Sequence, residues 1–145
     1  MGRSRPPLLV LLLLLTACGH GNDLGPSAVD LSGHWLFRHD ASGGGVFCSE
    51  TGSIDFLQTG ASLSGVFSSR GGCEGTTTAF DYTKTGGAVG QIATDTVTFT
   101  LRASLETCTY QGRVDSGATS AFGGSVVCAA PGGATSRQGS WSMER

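Results

Sequence analysis

Along Thr96-Val97-Thr98-Phe99-Thr100-Leu101 the large apolar residues occupy odd positions and the threonines even ones. A period of two is that of a strand with one face buried and the other in water. The same alternation marks Trp35/Phe37, Ile54/Phe56, Leu63/Phe67, Phe80/Tyr82, Tyr110/Val114 and Trp141/Met143, and no segment after residue 17 carries a convincing helical period. The pattern predicts strands near 32–39, 51–58, 61–69, 77–83, 87–92, 95–102, 107–114, 121–128 and 137–144.

Glycine supplies 24 residues, and many of them recur as Gly-x-large-apolar units beginning at Gly33, Gly65, Gly90, Gly112, Gly124 and Gly139. These six share parity with the large apolar residues and are expected to face inward. Two roles follow from that. Bare backbone lets strands coil and rings pack over it, or it leaves room for a small apolar ligand walled by Trp35, Phe56, Phe67, Phe99, Tyr110 and Trp141.

The turns set the register. A hairpin centred on Gly60/Ala61 pairs Phe56 with Gly65, Ile54 with Phe67 and Cys48 with Cys73. A second, around Ser116-Gly117-Ala118-Thr119, pairs Gly112 with Gly124, Tyr110 with Val126 and Cys108 with Cys128. Directly opposed residues share a face, so both cysteine pairs are expected as disulfides on the apolar side. Eight or nine antiparallel strands without a covering helix leave free edges unless the sheet closes. The expected fold is therefore all-β, a single up-and-down barrel spanning residues 30–145. Strands mostly shorter than the nine to eleven residues of a tilted membrane-crossing strand argue against a barrel embedded in lipid.

The first residues carry an address. Arg3 and Arg5 form a positive region, Leu8 to Leu15 an apolar one, and Thr16-Ala17 the small residues that precede a signal-peptidase cut. Leu15-Thr16-Ala17-Cys18 resembles the bacterial lipobox. That resemblance implies a signal peptide over 1–17, thioether diacylglycerol and a further acyl chain on Cys18, and a membrane-anchored lipoprotein. Gly19 in place of an aspartate retention signal implies the outer membrane. The apolar stretch is too short to cross a hydrocarbon core, which takes about 20 residues. Residues 18–29 lack apolar period and are rich in turn formers, so they read as a tether.

Without the two leader arginines the chain carries seven basic against eleven acidic residues, a net −4. A nucleic-acid partner, which needs a positive stripe, is not expected. The four cysteines beyond Cys18 suit an oxidising, exported location.

Asp30-Leu31-Ser32-Gly33-His34-Trp35 resembles the Gly-x-Trp opening of the calycins, the lipocalin and avidin group of barrels, and Ala61-Ser62-Leu63-Ser64-Gly65-Val66-Phe67 is similar to an avidin-type second hairpin. The resemblance implies a calycin-like barrel of the shorter, avidin-like kind. Avidin's set of biotin-contacting polar residues has no counterpart here, so no ligand is carried over.

For chemistry the sequence offers little. His20 falls in the tether, His34 on the outer face and His39 at a strand end, so all three are expected in solvent. No metal-ligand spacing survives oxidation of the cysteines, and no Gly-x-Ser-x-Gly elbow is present. The acidic residues are dispersed and expected to be solvated, and Gly43-Gly44-Gly45 reads as a flexible loop. The expectation is a non-enzymatic binding module without cofactor or metal. It holds a small apolar ligand inside the barrel or, alternatively, contacts an envelope protein through the loops of a solid barrel.

Overall fold

A computed structural model describes residues 29–75, 79–132 and 136–145. Cys18, the lipobox and residues 18–28 of the expected tether lie outside the described residues. Eight strands follow one another: β1 (Gly33–Gly43), β2 (Val46–Thr59), β3 (Ser62–Gly75), β4 (Ala79–Ala93), β5 (Thr96–Arg102), β6 (Thr107–Val114), β7 (Ser120–Ala129) and β8 (Ser136–Glu144). Each pairs antiparallel with the next, and β8 returns to β1, closing an up-and-down barrel.

Eight strands stand where the longer expectation had nine, because the segments near 77–83 and 87–92 are one strand, β4. The Gly86-Gly87 pair reads as a break in sequence, yet the strand runs straight through it. A Cβ at Gly86 would collide with the Arg102 carbonyl and lie 2.9 Å from the Phe67 ring, so glycine admits a close approach there. The strands are also longer than expected, β2 and β3 having 14 residues and β4 15. Strand length therefore does not argue against lipid. The inward rows are apolar and the outer wall is mixed, exposed Arg38, Asp55, Arg70 and Asp81 lying among exposed Leu36, Leu57, Val66 and Val89.

The first hairpin register holds along its whole length, from Thr59↔Ser62 to Cys48↔Cys73. In the second, Cys108↔Cys128, Tyr110↔Val126 and Gln111↔Ser125 stand as expected, but Gly112 does not simply oppose Gly124. An extra residue in β7 shifts the register to Arg113↔Phe122, with Gly123 in the left-handed region at φ 63°. This is a β-bulge. Both disulfides form, Cys48–Cys73 and Cys108–Cys128, each with Cα atoms 4.0 Å apart. Gly44 and Gly45, expected in a flexible loop, form a two-residue turn between the paired Gly43 and Val46. Their φ values of 62° and 78° match the primed turns that tight hairpins favour.

One end of the bore is closed. Val29 and Leu31 are buried in the core, and Gln58 fastens them, accepting from Leu31 N at 2.8 Å and donating to the Val29 carbonyl at 3.1 Å. Fully buried Trp35 donates Nε1–H to the Leu31 carbonyl at 2.8 Å. Arg145 lies 4.8 Å from the indole centre and donates to the carbonyls of Asp30 and Ser32.

Candidate functional site

The six aromatic residues expected to line a ligand cavity, Trp35, Phe56, Phe67, Phe99, Tyr110 and Trp141, are all buried, none more than 5% exposed. The structure makes four of them one another's walls. Phe99 and Tyr110 stack with centroids 4.6 Å apart, and Phe56 and Trp141 meet Phe99 edge-on at 5.5 and 5.1 Å. Trp141 also meets Tyr110 edge-on at 5.7 Å. Offset and edge-to-face arrangements of this kind are the favoured ones for rings.

The inward glycines serve this packing. A Cβ on Gly124 would collide with Trp141 Nε1, and one on Gly112 would lie 2.8 Å from the same ring, so the two form its bed. At Gly65, Gly90 and Gly139 a Cβ would run into a carbonyl of the neighbouring strand. Gly33 departs from the expectation. It is exposed at the strand end with φ 115° and nothing near its Cβ position.

The other half of the bore is charged. Toward the end where β1 turns into β2 and β5 joins β6, Glu50 from β2 is 2% exposed and Glu106, just before β6, 8%. Lys84 from β4 bridges them, its Nζ 2.6 Å from Glu50 Oε2 and hydrogen-bonded to Glu106 Oε2. Arg137 from β8 donates to the other Glu106 oxygen. Tyr82 donates to Glu50 at 2.9 Å, and Lys84 lies 4.3 Å from the Tyr82 ring centre. His39 from β1 sits 3.8 Å from Glu50 through Nε2, while its Nδ1 is 2.8 Å from the Tyr110 hydroxyl.

Two carboxylates, one ammonium and one guanidinium thus neutralise each other across the bore. Burial by itself raises the Glu50 carboxyl pKa, but the Lys84 hydrogen bond and charge outweigh it and hold the carboxyl below its usual range. Burial lowers the His39 imidazole, keeping it neutral near pH 7, and raises the Tyr110 phenol well above its ordinary value. The phenol therefore keeps its proton, and with Nε2 turned toward the Glu50 carboxylate the pair suits the tautomer protonated at Nε2, in which the Tyr110 hydroxyl donates to Nδ1.

This network opens into a cavity of about 330 Å³ whose lining includes Phe80, Tyr82, Lys84, Leu105, Glu106 and Arg137. Phe80 lies on the inward row of β4 and is nonetheless 53% exposed, while Leu105 on the β5–β6 connection is 79% exposed. Arg137 Nε is buried without a hydrogen-bond partner among the described residues. A larger concavity of about 950 Å³ lies on the outer wall, lined by such residues as Thr51, Ser53, Ser68 and Ser142. It is an open saddle without a fully buried charge. The mouth therefore holds the chemistry. Glu106, Cys108 and Cys128 come within 4.8 Å of one another, but both sulfurs are committed to the disulfide and offer no thiolate to a metal.

The sequence expectation placed His39 in solvent and treated the carboxylates as solvated. His34 is indeed exposed, and His20 lies outside the described residues, but His39 is 3% exposed. Glu50 and Glu106 are likewise buried. A signal was present: His39, Glu50, Lys84 and Arg137 all share the inward parity of their strands' apolar residues. Glu50 and Glu106 fell just outside strands drawn from 51 and 107, and so escaped the parity test.

Comparison of the chain with protein-family models, with curated proteins and with solved structures finds no match.

Proposed function

We propose that the protein is a lipoprotein of the bacterial envelope, acylated at Cys18 and held at the outer membrane, and that its barrel is a non-enzymatic binding module acting through the charged mouth. The observation that carries this is the division of the bore. Apolar rings fill one half by packing on each other, while the other presents a buried, mutually neutralised set of charges beneath a cavity. Burying Glu50 and Glu106 with their half-buried partners Lys84 and Arg137 is costly and does not by itself favour a fold over an apolar core. Placing them below a partly apolar rim suits recognition. The lipobox residues and the two disulfides support the envelope location. The small apolar ligand expected inside the bore gives way here to a ligand at its end.

A second interpretation, a protein partner seated on the rim, is favoured by the exposed side chains of Phe47, Phe80 and Leu105 at that end. Native mass spectrometry of the protein purified from its own membranes tests both. A retained small molecule or a stoichiometric protein, lost on Phe80→Glu, supports binding at the mouth, and an empty spectrum overturns it. Cys18→Ser should move the protein out of the membrane fraction, and unchanged fractionation would sink the anchor.

A further inference from the structure

We infer, building on the proposed binding role of the mouth, that its ligand is a neutral sugar ring, either free or as the terminal residue of a glycan. The argument starts from charge. Lys84 is shared between Glu50 and Glu106, and Arg137 is committed to Glu106, so neither cation is free to receive an anion. An added carboxylate or phosphate would be drawn by no net charge and would approach two buried carboxylates. A cation would meet Lys84 and Arg137 in the same way. A purely apolar ligand would cover these groups without replacing the water around them, which is costly for charges.

A neutral polyhydroxyl compound escapes all three objections. Each hydroxyl both donates and accepts, so one ring can donate to the Glu106 carboxylate and exchange a hydrogen bond with the Ser104 hydroxyl, both of which line the cavity. Hydrogen bonds to charged groups are stronger than neutral ones, and here the charges are already held in place by their own pairing. The walls complete the match. Phe80, more than half exposed, supplies a ring for the C–H side of a sugar, with Tyr82 beside it at 6.3 Å between centroids and Leu105 at the rim. A volume of about 330 Å³ holds a single ring and leaves any further residues of a chain outside.

The experiment is a titration of the purified protein followed by ¹H–¹⁵N spectra, reading the Arg137 Nε–H and the amides of Phe80 and Leu105. The probes are glucose, galactose and N-acetylglucosamine as free sugars, maltotriose and chitotriose as chain ends, and glucuronate, inorganic phosphate and cyclohexanol as charged and apolar counterparts. The expected result is saturable shifts at the mouth with at least one neutral sugar. Tighter binding of the trisaccharide would mark a chain end as the source, and equal binding a free sugar. Glucuronate should bind about ten-fold more weakly than glucose, and Phe80→Ala should weaken the sugar about ten-fold, the scale of one lost aromatic contact. Phe80 is half exposed, so that variant should keep the wild-type amide spectrum away from the mouth. Failure of every neutral sugar to saturate the mouth overturns the inference, as does phosphate, glucuronate or cyclohexanol binding equally well. Saturation by one of those three alone leaves the binding role standing. Silence from every probe together with an empty native mass spectrum removes both.

Discussion

The Tyr110 hydroxyl lies 2.8 Å from His39 Nδ1, and this bond joins the aromatic half of the bore to its charged half. Tyr110 stacks on Phe99 on one side of the boundary, and His39 faces Glu50 on the other. Disturbance of the histidine is therefore felt in both halves.

Protonation is the simplest such disturbance. The His39 pKa is lowered by burial, so its contribution to stability is present above the ordinary value of 6.5 and is lost as pH falls toward the folded value. The depressed Glu50 carboxyl acts in the same direction, its contribution being present above 4.5 and lost as pH falls through its lower folded value. Urea midpoints should fall in two stages on acidification. His39→Gln should remove the first stage, the interval that opens just below pH 6.5. A variant with the wild-type profile over that interval would show that His39 is not its source.

Lys84→Met leaves Glu50 and Glu106 buried without their shared cation. Breaking a buried pair costs about 3–5 kcal/mol. The loss should be largest near neutral pH and shrink in acid, where protonation relieves the stranded carboxylates. Chemical denaturation at several pH values measures both.

Replacing Cys48 and Cys73 together by alanine should cost about 3 kcal/mol, and the same change at Cys108 and Cys128 about as much, given loops of 25 and 20 residues. The bridges pin different hairpins, so the losses should add. Equilibrium unfolding of the two double variants and the quadruple variant is the check.

Thr94 sits in the two-residue turn between β4 and β5 at φ 58°, a conformation that a β-branched residue tolerates poorly. Thr94→Asn should raise stability by about 1 kcal/mol, read as a higher melting temperature.

Gly124→Ala places a methyl group against the Trp141 indole and threatens the hydrogen bond from its Nε1 to the Gln111 carbonyl. Overpacking of this kind costs about 1–3 kcal/mol. The near-ultraviolet circular dichroism of Trp141 should change with it.

The barrel was legible because turn position and side-chain parity are local and mutually reinforcing. A two-residue turn at Gly60-Ala61 fixes every pair down to Cys48↔Cys73, since each step along one strand is matched on the other. The same logic failed at Gly112, where an extra residue in β7 is visible only as one more glycine in a glycine-rich run. The mouth was illegible for a different reason. Glu50, Lys84, Glu106 and Arg137 are far apart in sequence, and their partnership depends on closure of the sheet. Only their inward parity was available beforehand, and charged residues at strand ends more often point to water.

Closure has a consequence for how the chain is made. Every strand after β1 finds its first partner in the strand just before it, but β1 waits for β8 to complete its second edge, and the seam of seven pairs runs from Leu36↔Glu144 to Ser42↔Gln138. The lock at that seam joins Arg145 to Asp30 across 115 residues of sequence. Until β8 emerges, the protein is an open sheet with two unsatisfied margins, in a compartment crowded with other chains able to pair with them. Loss of β8 would therefore yield a sticky ribbon, not a slightly weaker barrel.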